Sequence, residues 1–248
     1  MCLILFAWRP GHDLPLLVAA NRDEFHARPS LPLAHWDDAP GVYAGRDLEA
    51  GGTWMGIGPN GRFAALTNIR DPSQPIGRRS RGELVAGFLH GEHSPTTYLA
   101  AVAAHASEYS GFNLLVGNAE HLYYLSARQP QPRELAPGVY GLCNAALDTP
   151  WPKLLRARQA LVERLEGTST ECLLELLADS TPAEDAQLPS TGIGLETERL
   201  LSSIFIRSAH YGTRTSSALI VRRDGRREFH ERRFGPHGAR LGEVKLNV

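Results

Sequence analysis

The chain opens Met1-Cys2-Leu3-Ile4-Leu5-Phe6-Ala7-Trp8, a cysteine directly behind the first methionine and then an unbroken apolar run. A run without polar alternation predicts a strand covered on both faces, and it fixes a thiol at the head of that strand. If Met1 is removed, Cys2 carries a free α-amine beside its own sulfur. That amine titrates near pH ~8, against ~8.5 for a thiol, so nucleophile and base would reside in one residue. This is the logic of catalysis by an N-terminal nucleophile: the thiolate attacks a carbonyl and the amine handles the proton. Met1 removal is expected, because the side chain behind it is small. The plainer alternative is a structural cysteine, since a thiol at the head of a core strand often acts only as a small hydrophobe.

Composition narrows the classes. At 248 residues the chain can enclose a large core, and a single domain is expected. Its 26 Lys and Arg against 27 Asp and Glu leave a formal charge of -1, which gives no global drive toward nucleic acid or an anionic membrane. Cys2, Cys143 and Cys172 are far apart and form no Cys-x-x-Cys pair, which argues against a zinc knuckle or disulfide scaffold and fits a reducing, cytoplasmic setting. Trp8-Arg9-Pro10-Gly11 ends the apolar opening far short of the ~20 residues of a spanning helix, so no membrane span is expected. The histidines are scattered, His90 and His93 excepted, and no metal site is expected.

After a turn at Arg9-Pro10-Gly11-His12, a second apolar run from Leu14 to Ala20 is expected to pair antiparallel with the first, and it ends in Asn21-Arg22-Asp23-Glu24. Arg22 offers a fixed positive fork able to lower a thiol pKa, and Asp23 could hold the terminal ammonium. Equally, polar residues mark where strands meet solvent. Residues 25–50 read as one long loop. Gly56, Gly58 and Gly61 spell G-x-G-x-x-G, but Pro59-Asn60-Gly61 is a hairpin turn followed by a strand pattern, so the dinucleotide reading is rejected. Arg70, Arg78, Arg79 and Arg81 form a basic stretch, either solvated or a clamp for a carboxylate, phosphate or propionate. Helices are expected over 81–89, 95–106, 152–166 and 170–178, and strands over 112–117, 122–126, 138–143, 218–221 and 228–234. Residues 180–198 read as mobile. Asn144, at a strand end, is either turn chemistry or a donor to a developing oxyanion, a role Asn68 could share.

Asn21-Arg22-Asp23-Glu24 behind Met1-Cys2 resembles the NRDE family, which takes its name from that tetrapeptide and includes the transport and Golgi organisation two homologue of animals. Further matching blocks are Gly51-Gly52-Thr53-Trp54-Met55-Gly56, Thr67-Asn68, Gly141-Leu142-Cys143-Asn144-Ala145, Asp148-Thr149-Pro150-Trp151-Pro152-Lys153 and Tyr211-Gly212-Thr213-Arg214-Thr215. The resemblance implies an α/β (α+β) fold, a four-layer αββα sandwich of two antiparallel sheets like that of the N-terminal nucleophile hydrolases. It also implies a site in which Cys2 attacks, Arg22 and Arg214 stabilise the thiolate, Asp23 orients the amine, and Asn144 with Asn68 holds the oxyanion. Asn21, Glu24, Trp54, Arg70, His210 and Tyr211 would contact the ligand, although His210 also reads as a plain loop histidine. One departure stands out: relatives such as the choloylglycine hydrolases set arginine and aspartate further apart than the adjacent Arg22-Asp23 here, so the polar tip projects different groups. The resemblance leaves open hydrolysis or transfer at a small-molecule amide or thioester, and carriage of haem or an acyl lipid without catalysis. No cofactor is required under either; haem would be a ligand.

Overall fold

The apolar opening forms β1 (Cys2–Trp8), buried at every residue, in a computed structural model that describes residues 2–248. The chain divides into two compact units, the first built from residues up to 27, 70–72 and 137–248, the second from Arg28–Ile69 and Ser73–Ala136.

In the first unit β1 pairs antiparallel with β2 (Leu16–Phe25). The second unit supplies β3 (Ser30–His35), β4 (Tyr43–Asp47), β5 (Met55–Ile57), β6 (Phe63–Asn68), β7 (Phe112–Gly117), β8 (Leu122–Ser126) and β9 (Gln129–Glu134), a seven-stranded sheet in sequence order. Its helices are α1 (Gly82–His90) and α2 (Pro95–Ala104), and its core packs Leu84, Val85, Phe88 and Leu99 onto Ala64, Leu66, Leu114 and Val116. Ser94 caps α2, its Oγ accepting from the Thr97 N–H, with Pro95 in the first turn as the sequence predicts.

The first unit resumes with β10 (Gly138–Leu142), α3 (Pro152–Val162), α4 (Thr170–Leu176), α5 (Leu195–Leu200), β11 (Tyr211–Val221), β12 (Arg227–Phe234) and β13 (Arg240–Asn247). Its six-stranded sheet runs β10-β1-β2-β11-β12-β13, antiparallel throughout. Leu3, Leu5, Ala7, Leu17 and Ala19 alternate onto one face and meet Leu154, Ala157 and Leu161 of α3 and Leu173 and Leu174 of α4. Ile4, Phe6 and Trp8, on the other face, are buried as well, which explains the missing polar alternation. At Gly141 a Cβ would sit 2.8 Å from the Leu154 side chain, so only glycine lets α3 lie this close to β10.

The fold of the described residues is α+β, with two antiparallel sheets and five α-helices. Several expectations change. Residues 25–50 are not one loop but hold β3 and β4, which Pro32 and Gly45 disguise; Gly45 is obligatory, because a Cβ there would fall 2.4 Å from the Trp54 ring. Residues 180–198 are pinned rather than loose: Thr191 donates twice to the buried Glu198 carboxylate, and the Ala183 N–H donates to Ser202. Strand β13 lay outside every expected element. The Pro59-Asn60-Gly61 turn does join β5 to β6, with φ of 56° at Asn60 and 72° at Gly61. Among the described residues no helix is long and apolar enough to cross a membrane.

Candidate functional site

Cys2 lies opposite Arg22 in the β1–β2 ladder, and Arg22 lies opposite Thr215 in the β2–β11 ladder. Directly opposed residues of an antiparallel pair share a face. A thiol, a guanidinium and a hydroxyl from three neighbouring strands therefore form one row, with exposures of 8, 6 and 4%. Among the described residues the Thr215 Oγ1 has no hydrogen-bond partner. Glu24 shares this face, its carboxylate 3.8 Å from Arg22 Nη2. Met1, and with it the expectation that it is removed, lies outside the described residues.

Asn21 and Asp23 point the other way, toward the helices, because successive strand residues alternate. The Asn21 amide donates to the Leu177 and Ile204 carbonyls at 3.0 and 2.8 Å, and its oxygen accepts from Ser216 Oγ at 2.6 Å. That residue ties β2 to β11 and to the end of α4. Asp23 Oδ1 accepts from Thr213 Oγ1 at 2.7 Å, and the Tyr211 hydroxyl donates to the Asp23 carbonyl at 3.0 Å. Although its carboxylate is on the helix side, the backbone N–H of Asp23 hydrogen-bonds the Cys2 sulfur. The adjacency of Arg22 and Asp23 thus separates their side chains by a whole sheet.

A second charged group sits around the 70–72 segment. Arg70 Nη1 donates to Glu198 Oε2 at 2.5 Å, both side chains at most 5% exposed, and its guanidinium lies 4.6 Å from the centre of the Trp151 ring. The Arg70 N–H donates to the Asn144 carbonyl at 2.8 Å, which fastens the buried Asn144 to this segment.

Burial pushes the Cys2 thiol above its ordinary pKa; the Asp23 carboxylate adds to the rise, while Arg22 and the Asp23 N–H oppose it. Burial likewise raises Asp23, opposed by the Lys153 ammonium, the Thr213 hydrogen bond and Arg70. Cys143, buried in the helix-side core, is pushed up to about 11 by burial against the pull of Lys153 and Arg70. Because the fold favours protonated Asp23, that contribution is complete below the ordinary carboxylate value and is lost as pH rises through the raised one. Asp23→Asn should therefore gain stability relative to the parent as pH climbs from about 4 toward neutrality. Urea unfolding of both proteins across that range checks it; a difference that does not vary with pH would contradict it.

The first unit thus holds Cys2, Asn21, Arg22, Asp23, Glu24, Arg70, Asn144 and Tyr211. Arg214 lies in the same unit at a bulge, where the register shifts between Thr213 and Thr215, and its Nη1 donates to the Phe25 carbonyl at 2.8 Å. His210 is exposed, and its carbonyl accepts from the His26 N–H. Asn68, half-buried at the end of β6 opposite Phe112, and Trp54, half-buried against Gly45, belong to the second unit.

Sequence reasoning passed over three residues. Lys153, in the first turn of α3, is 1% exposed and its Nζ has no hydrogen-bond partner among the described residues, yet it acts electrostatically on Asp23 and Cys143. It ends the Asp148-Thr149-Pro150-Trp151-Pro152-Lys153 motif, and a lysine straight after a helix-starting proline is its one sequence signal. Thr215 closed another such motif. Glu198, in a stretch read as mobile, gave no signal.

A model of the family "Transport and Golgi organisation 2" matches residues 1–236. The chain belongs to that family. The transport and Golgi organisation 2 homologue of Homo sapiens is 37% identical, over 94% of this chain and 92% of that protein. The Mus musculus homologue is 36% identical over the same shares, and the Drosophila melanogaster protein is 31% identical over 96% and 95%. Among solved structures, the Caenorhabditis elegans ortholog of N-acylethanolamine-hydrolyzing acid amidase superposes with a TM-score of 0.54 at 12% identity, covering 88% of this chain and 92% of that one. The C2A mutant of conjugated bile acid hydrolase from Clostridium perfringens gives 0.54 at 8% identity, covering 100% and 92%. This member of the transport and Golgi organisation 2 family therefore has the N-terminal nucleophile hydrolase fold, as its motifs implied.

Proposed function

We propose that this member of the transport and Golgi organisation 2 family hydrolyses or transfers the acyl group of a small-molecule amide or thioester, with Cys2 as nucleophile. The observation that carries the reading is the Cys2–Arg22–Thr215 row on one face of the six-stranded sheet. In this reading the thiol loses its proton to the α-amine freed by removal of Met1, and the thiolate adds to the carbonyl carbon. Arg22 favours first the thiolate and then the tetrahedral oxyanion, to which the Thr215 hydroxyl donates. The leaving amine or thiol takes the proton back, and water or a second acceptor releases the acyl group. A raised thiol pKa makes that intramolecular base necessary. Two fold relatives are named for hydrolysing N-acylethanolamines and conjugated bile acids, and the second was solved as a variant at its own Cys2. The three free thiols suit a reducing, cytoplasmic setting.

A second reading, carriage of an acyl lipid or haem, is favoured by the same raised pKa, since a neutral buried thiol is what a cysteine without a chemical role possesses. A panel of chromogenic amides and thioesters, read with the intact mass of the protein, separates the two. Turnover by protein lacking Met1 and its loss in Cys2→Ala support catalysis. Absence of turnover across the panel, with haem or acyl-lipid affinity equal in parent and variant, supports carriage and ends the catalytic reading.

A further inference from the structure

Three of the four sheet edges are obstructed among the described residues. β9 carries Pro130 and Pro132, which offer no N–H. β3 carries Pro32 and a register break between Leu31 and Ala34. β10 is closed by its own loop, where the Asp148 N–H donates to the Gly141 carbonyl at 2.8 Å and the Gly141 N–H donates to Asp148 Oδ1 at 2.9 Å. β13 differs: eight residues without proline, bonded to β12 alone.

Its hydrogen-bonding phase is fixed by Arg227 and Val248, which exchange both backbone bonds at 2.7 and 3.0 Å. Alternation along the ladder then turns the N–H and C=O of Leu246, Val244 and Gly242 toward β12, and those of Asn247, Lys245 and Glu243 outward. A two-fold axis through Val244 pairs this outward set with itself. Glu243 falls opposite Lys245 of the second copy, and the symmetry repeats the pair. Val244 meets its own counterpart, and Gly242 admits Leu246. Registers centred on Glu243 or Lys245 would instead set like charges face to face. The segment lies beyond residue 236, where the match to the family model ends.

We propose that β13 is a homodimerisation edge, joining two copies as antiparallel strands about Val244. Sedimentation velocity should show a monomer–dimer equilibrium for the parent chain. Lys245→Glu sets two glutamate pairs across the axis and should raise the dissociation constant about tenfold or more. Lys245→Pro deletes an outward N–H that β12 does not use, so it should yield monomer at every concentration, with the unfolding midpoint that the parent shows when diluted to monomer. Val244→Cys should give a disulfide-linked dimer when copper phenanthroline oxidises the two facing thiols, since unbonded pairs place Cα atoms only ~4.5 Å apart. The parent chain controls for Cys172. A parent that stays monomeric at roughly millimolar concentration overturns the proposal. So does a dimer that Lys245→Pro leaves intact, or one that Val244→Cys fails to link.

Discussion

Cys2→Ala is expected to lower turnover of an amide or thioester substrate by about 10⁴-fold or more, the scale seen when a covalent nucleophile is deleted from a hydrolase. The residual rate would come from Arg22 and Thr215 polarising the bound carbonyl toward water. Structural damage should be slight, because the change removes one sulfur atom from the head of a strand whose other six residues remain buried. A loss of about 1 kcal/mol is the expected scale for so small a cavity. A single-turnover assay with intact-mass detection gives the cleanest check: the parent should carry the acyl group on Cys2 before water releases it, and the variant should not. Equal turnover by parent and variant would remove Cys2 from the chemistry.

The largest effect on stability is expected from Glu198→Ala. Arg70 and Glu198 are nearly sealed from solvent, burial pulls the Arg70 pKa down, and the Glu198 carboxylate is the chief group opposing that pull. Removing the carboxylate leaves a buried guanidinium without its main counter-charge, which costs roughly 3–5 kcal/mol. For a chain of this size that corresponds to a fall in Tm of roughly 10 °C. The same substitution withdraws the acceptor that holds Thr191, so the 180–198 segment should become sensitive to protease. The double change Arg70→Leu with Glu198→Leu should recover most of the loss, since an apolar pair of similar volume replaces a buried ion pair at little cost. A single-variant Tm within 2–3 °C of the parent would mean less than about 1 kcal/mol and would refute the account.

Much of this is legible in the amino-acid sequence. The opening strand declared itself because seven successive apolar residues can only be a strand covered on both faces or a short buried helix, and Arg9-Pro10 rules out the longer helix. The α2 start was written in Ser94-Pro95, and the β5–β6 turn in Pro59-Asn60-Gly61. β3 and β4 were hidden because Pro32 interrupts one and Gly45 weakens the other, the glycine being required by the Trp54 ring that packs against it. β13 carried its own period-two signal in Gly-Glu-Val-Lys-Leu-Asn, but a polar, exposed edge strand looks like tail. At the site, the motifs located Cys2, Arg22 and Asp23, and they had no means of saying that Arg22 and Asp23 face opposite ways. Lys153 and Glu198 escaped for a different reason: a charge is read as solvated unless something shows it buried, and only the three-dimensional packing does that.

A strand offers only two sides, and the Asn21-Arg22-Asp23-Glu24 segment occupies both. Inserting a single residue after Ala20 would exchange them wholesale: the guanidinium would turn beneath the helices, the carboxylate would swing beside the sulfur, and the Asn21 amide would lose both of its carbonyl acceptors. The segment's length is therefore as constrained as its composition. The bulge in β11 shows the opposite tolerance next door, where Arg214 is accommodated as a supernumerary residue while the Thr213–Asp23 and Thr215–Arg22 pairings stay in phase.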